Sequence, residues 1–190
     1  MADYHDLICV TERKLSRRDF ISQVDYICSL EPKAVILREK DLPLEAYLEL
    51  ASRVAPVCRQ HGVPLILHTY PEAAAALAVP RVHLPLAQLR QAAADANGGT
   101  LPACVGTSCH SAEDAAEAER LGASYVTFGN VFETSCKPGL PARGLAQLRE
   151  VCGTVRIPVY AIGGITPDNL AEVMEAGAAG GCMRSGFMEL

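Results

Sequence analysis

Eight short apolar runs, each closed by polar or glycine residues and the first seven each followed by a helix-like segment, limit the folds open to this chain. The runs are Leu7 to Thr11, Ala34 to Leu37, Pro64 to Leu67, Arg81 to Leu84, Ala103 to Ser108, Tyr125 to Gly129, Pro158 to Ile162 and Gly180 to Met183. Between the first two, Phe20, Ile21, Val24, Ile27 and Leu30 recur at helical spacing. Pro43 suits the first turn of a helix running to Gly62, and Pro56 inside it predicts a kink. Strands alternating with helices through short loops predict a parallel sheet, and eight is the number that closes a (β/α)8 TIM barrel. A single barrel domain over residues 1–190 is therefore expected, with an open doubly wound sheet as the alternative. After Arg184-Ser185-Gly186 only Phe187 to Leu190 follow, so the last helix is expected to be missing or truncated. The apolar surface it would leave uncovered favours a homo-oligomer.

Composition excludes several classes of partner. The net charge of -5 gives no electrostatic reason to expect nucleic acid or an anionic membrane. No apolar run approaches the ~20 residues of a membrane span. The start, MADYHDLICV, lacks the basic and apolar regions of a signal peptide. Cys9, Cys28, Cys58, Cys104, Cys109, Cys136, Cys152 and Cys182 are scattered with no CxxC pair, which argues against structural zinc. Reduced thiols and no export signal point to the cytoplasm.

Side chains just after the strands of such a fold gather where ligands bind. Gly163-Gly164 follows the seventh run and Arg184-Ser185-Gly186 the eighth. Glycine lets backbone N–H groups approach an anion, and a helix beginning near Thr166 would add its dipole, so these five residues form a candidate phosphate clamp. Arg38 and Lys40, of one strand parity, offer cations to a carboxylate or a second phosphate. Ser108 and His110 share a face after the fifth run, and His110 is the candidate acid–base group. His68 is a second candidate, whereas His83 reads as a hydrogen-bonded core residue. Thr134, Cys136 and Lys137 lie in the loop after the sixth run. Moving a diphosphate usually needs magnesium held by carboxylates. His68-Thr69 and Leu84-Pro85-Leu86 stand where such acids would be, so a site with neither metal nor cofactor is expected.

Arg38-Glu39-Lys40, FGNVFETSCKPGLPARG, AIGGITPDN and the Arg184-Ser185-Gly186 run together resemble the thiamine phosphate synthase/TenI superfamily over nearly the entire chain. The synthase branch of that superfamily carries an Asn-Asp pair after strand three and an acid after strand four for magnesium. The Thr134-Ser135-Cys136-Lys137 loop and Ser108-Cys109-His110 look instead like the TenI branch of thiazole tautomerases. The resemblance implies an isomerase of thiamine biosynthesis. It would aromatise the thiazole phosphate carboxylate tautomer made by thiazole synthase, with His110 carrying the proton and Ser108, Thr134, Cys136 and Lys137 lining the pocket. Thiazole synthase itself is an implied partner. A thiamine phosphate synthase, which is a transferase, and a non-catalytic protein binding thiazole or thiamine phosphate are the alternatives.

Overall fold

A computed structural model describes residues 3–95, 101–134, 139 and 141–190. The strands β1 (Leu7–Val10), β2 (Ala34–Leu37), β3 (Leu65–His68), β4 (Arg81–Pro85), β5 (Cys104–Cys109), β6 (Tyr125–Gly129), β7 (Val159–Ile162) and β8 (Gly180–Met183) close a barrel in chain order. Pairing is parallel, with Ile8 opposite Ala34, Val35 opposite Leu65 and Ser108 opposite Thr127. The helices α1 (Phe20–Ser29), α2 (Leu44–Gln60), α3 (Pro71–Ala76), α4 (Leu86–Asp95), α5 (Ala112–Arg120), α6 (Gly144–Thr154), α7 (Leu170–Glu175) and α8 (Ser185–Met188) follow the strands in turn. The expected (β/α)8 barrel is the observed fold. Its chain falls into two compact units, Met1–His83 with Met183–Leu190, and Leu84–Cys182.

Five of the eight strands, β1, β2, β3, β6 and β8, are buried along their whole length, as they are when both faces of a parallel sheet are covered. Helix starts follow side-chain caps. Asp19 accepts from the Ser22 backbone N–H and sets the start of α1 at Phe20. Ser111 caps α5 in the same way through the Asp114 N–H. α2 runs through Pro56 without a break in its assignment.

The last helix is truncated, as expected. A one-turn helix follows β8, and its Phe187 and Met188 are fully buried. The Phe187 ring lies 5.2 Å from that of Tyr4, and its carbonyl accepts from Gln23 Nε2 at 2.9 Å. Among the described residues no helix is long and apolar enough to cross a membrane.

Candidate functional site

In the first unit, the ends of β1 and β2 are tied by a carboxylate. Glu39 follows Arg38 and turns to the opposite side, where its side chain is fully buried. It accepts from the Thr11 hydroxyl at 2.8 Å, from the Arg13 backbone N–H at 3.0 Å and from the Arg13 guanidinium at 3.1 Å. Arg13 continues to Asp41 through two bonds of 2.6 and 2.8 Å, holding that carboxyl well below the usual range. Thr11 Oγ1 also accepts from the Arg38 N–H at 2.9 Å. Anchored from behind, Arg38 and Lys40 occupy the end of β2, Arg38 half-buried and Lys40 exposed.

Within the first unit, Arg184 is brought together with Arg38. Both guanidiniums approach Glu12 Oε2, at 3.5 Å from Arg38 and 3.7 Å from Arg184. Ser185 opens α8, and Gly186 packs so closely that a Cβ there would meet Met183 Sδ at 2.6 Å.

His68 at the end of β3 and His83 in the middle of β4 are register partners, with rings stacked 5.5 Å apart at 20°. Burial above all, then for His68 the neighbouring His83, and for both the cations Arg38 and Lys40, together lower each ring to about 3. Both rings are thus neutral near pH 7. His68 Nδ1 meets the Thr69 hydroxyl, and its backbone N–H donates to the Tyr47 hydroxyl at 2.8 Å. A buried, neutral His68 makes a poor proton carrier. Magnesium prefers oxygen ligands in octahedral geometry. Two buried imidazoles do not fit it, and among the described residues no three His, Cys, Asp or Glu side chains form a metal cluster.

In the second unit, His110 ends β5 in an exposed position. Its Nδ1 lies 3.1 Å from the Gly129 carbonyl, which can only accept, so Nδ1 carries the hydrogen and Nε2 is the acceptor nitrogen of the neutral ring. The His110 backbone N–H is held by Asp114 at 2.9 Å. Arg143 Nε donates to the same Gly129 carbonyl at 3.1 Å, a neighbour of His110 that sequence spacing did not reveal because 33 residues separate them. Ser108 Oγ accepts from the Thr127 hydroxyl at 3.1 Å, across the β5–β6 register. Burial pushes the Cys109 thiol up to about 12, which disfavours a nucleophilic thiolate.

Gly163 and Gly164 have φ values of 96° and 69°. A Cβ on Gly163 would meet Asn130 Cβ at 2.5 Å, and one on Gly164 would meet Phe132 Cβ and the Glu133 carbonyl at 2.6 Å. The segment after β6 is bonded onto this turn, Val131 N–H to the Ile162 carbonyl and Phe132 N–H to the Gly163 carbonyl. Both glycines are thus demanded by close backbone packing, whatever anion they meet. The expected helix dipole is corrected as well: α7 starts at Leu170, and the Thr166 N–H is taken by Asn169 Oδ1 at 2.9 Å. Thr134 is half-buried, while Cys136 and Lys137 lie outside the described residues. Glu12 was the residue missed in the first unit, although it follows β1 just as Arg38 follows β2.

Comparison with known proteins matches residues 7–187 to the family described as thiamine monophosphate synthase. A thiamine-phosphate synthase of Clostridium acetobutylicum is 32% identical, over 97% of this chain and 87% of its own length. One from Thermus thermophilus is 40% identical over 77% of this chain and 70% of its own. The thiamine phosphate pyrophosphorylase of Pyrococcus furiosus superposes with a TM-score of 0.83 at 28% identity, covering 99% of this chain and 89% of that one. These relatives are named as synthases, which are transferases, and this overturns the isomerase expectation. That expectation leaned on a few loop residues, whereas the likeness runs through all eight strands. The chain belongs to the thiamine monophosphate synthase family.

Proposed function

We propose that the chain is a transferase of the thiamine-phosphate synthase kind, acting on a phosphorylated pyrimidine and a phosphorylated thiazole. The likeness across residues 7–187 carries this reading. The chemistry of the strand ends supports it. A departing diphosphate needs its charge met, and fixed cations in a partly dry site do so with little reorganisation. Arg38, Lys40 and Arg184 are such cations, and the Thr11–Glu39–Arg13 network holds the first of them in place. In this reading His110 offers its Nε2 to the thiazole end of the substrates.

A second reading is favoured by one observation. The neutral His68–His83 stack stands where carboxylates would be needed to hold magnesium on a diphosphate. A barrel built this way would bind thiazole or thiamine phosphate without turning it over. Incubation of the purified protein with a hydroxymethylpyrimidine diphosphate and a thiazole phosphate, with thiamine phosphate measured in magnesium and again in chelator, separates the two. Product above the protein-free rate supports the transferase. Thiazole phosphate binding with no product in either condition would refute it and leave the binding protein.

A further inference from the structure

We infer that Glu12 is a built-in competitor for an anion: its Oε2 holds Arg38 and Arg184 as one cationic face, and a phosphoryl group takes its place on binding. The inference rests on the reading that these strand ends receive a phosphorylated ligand. The observations behind it come from contrasting two carboxylates of the same unit.

Glu39 is a structural anion. Its side chain is fully buried, and its contacts with Thr11 and Arg13 lie between 2.8 and 3.1 Å. Glu12 differs on each count. One of its oxygens faces two guanidiniums at 3.5 and 3.7 Å, beyond the ~2.7–2.9 Å of a charge-assisted bond. The three side chains keep 25%, 23% and 26% exposure for Glu12, Arg38 and Arg184, so solvent, and therefore a dissolved anion, reaches all of them. Within the trio, two positive charges meet one negative. A guanidinium prefers a two-oxygen partner, which a shared single oxygen cannot give to both arginines. A phosphoryl group can, because it presents three oxygens and carries more charge than a carboxylate. Glu12 then does two things: it keeps the two arginines from repelling each other apart in the empty protein, and it weakens any anion that has to displace it.

The test is calorimetric titration of inorganic pyrophosphate, and separately of inorganic phosphate, at one fixed ionic strength. Removing a like charge next to a bound anion is worth about 3- to 10-fold in affinity at a half-exposed position. Glu12→Gln should therefore bind pyrophosphate about that much more tightly than wild type, with a smaller gain for phosphate. Glu12→Asp, which keeps the charge, should show no gain. The gain should vanish when Arg184→Ala is added, and Arg184→Ala alone should weaken pyrophosphate binding about tenfold, a loss that holds the inference to account even if Glu12→Gln folds poorly. Equal or weaker binding by folded Glu12→Gln would overturn it. So would a gain that survives Arg184→Ala, or no binding of either probe by any of these proteins. Thiamine phosphate formation is read apart from these titrations. Turnover without the Glu12→Gln gain refutes only the competitor, and the gain without turnover refutes only the transferase.

Discussion

The two units of this barrel fix their strand ends by different physics. In the first, charge does it: Glu39 gathers Thr11 and Arg13 behind β2, and Glu12 gathers Arg38 and Arg184 beside it. In the second, close backbone approach does it. Gly163 and Gly164 leave room for Asn130, Phe132 and Glu133, and two backbone bonds lock that segment down. Their histidines differ in the same sense. His68 and His83 are buried and neutral within reach of cations, whereas His110 is exposed with one ring nitrogen fixed by a carbonyl. At the strand ends of the first unit the arginines pair with carboxylates, whereas Arg143 in the second donates to the Gly129 carbonyl that His110 also meets.

If charge holds the first unit, taking away its buried anion should hurt most. Glu39→Ala leaves the Thr11 hydroxyl and the Arg13 N–H without this acceptor, while the Arg13 guanidinium keeps Asp41, and each buried polar group left unsatisfied costs about 1–3 kcal/mol. Urea unfolding should show that loss. A cost under about 1 kcal/mol, the worth of an exposed pair, would mean the network is ornamental. Acid should act next, and again on the first unit. His68 and His83 sit near 3 in the fold, against about 6.5 in an unfolded chain. Between those values the unfolded state binds more protons than the native one, so stability is full above about pH 6.5 and falls as the pH drops toward 3. By pH 5 the loss should be on the order of 3 kcal/mol for the pair. His83→Gln should flatten the slope of stability against pH between 6.5 and 5. An unchanged slope would place the acid sensitivity elsewhere.

The second unit should respond instead to a methyl group. Gly164→Ala sets a side chain at φ 69° and pushes its Cβ to 2.6 Å from both the Phe132 Cβ and the Glu133 carbonyl. Strain and overlap together should cost about 2 kcal/mol. A neutral result by thermal melting would show that the loop after β6 gives way easily, and that the glycine serves an anion after all.

What the sequence revealed follows the same division. The barrel was legible because apolar runs and helical spacings are local signals, and eight runs alternating with helices leave few topologies. Arg38, Lys40 and His110 were legible as strand-end residues for the same reason. Pairings across the fold were not. Nothing near Arg184 in the chain says that it faces Glu12, 172 residues away. Arg143 was hidden likewise, since its link to His110 runs through a carbonyl that belongs to neither. Gly163 and Gly164 showed the opposite fault: their positions were right, but a turn glycine reads the same whether it meets a phosphate or a neighbouring backbone. The chemistry was misread where two short motifs, Ser108-Cys109-His110 and Thr134-Ser135-Cys136-Lys137, and the acids missing after strands three and four were allowed to outweigh a likeness spread over 181 positions, from 7 to 187.

His110 should give the smallest change in stability. The ring is exposed, and its Nδ1 bonds to a carbonyl that Arg143 also serves, so His110→Asn leaves Gly129 O with a donor. Surface replacements of this kind stay within about 0.5 kcal/mol. Ligand behaviour should separate from stability at this position. With Nε2 gone as an acceptor, thiazole phosphate affinity or turnover should fall by tenfold or more, about the worth of one hydrogen bond to a substrate group. Melting and titration of the same preparation check both halves. A loss above about 1.5 kcal/mol would mean that the second unit, like the first, depends on a polar side chain for its stability. Unchanged ligand affinity and turnover would leave the first unit's fixed charge as the whole of the site, with no proton exchanged by the second.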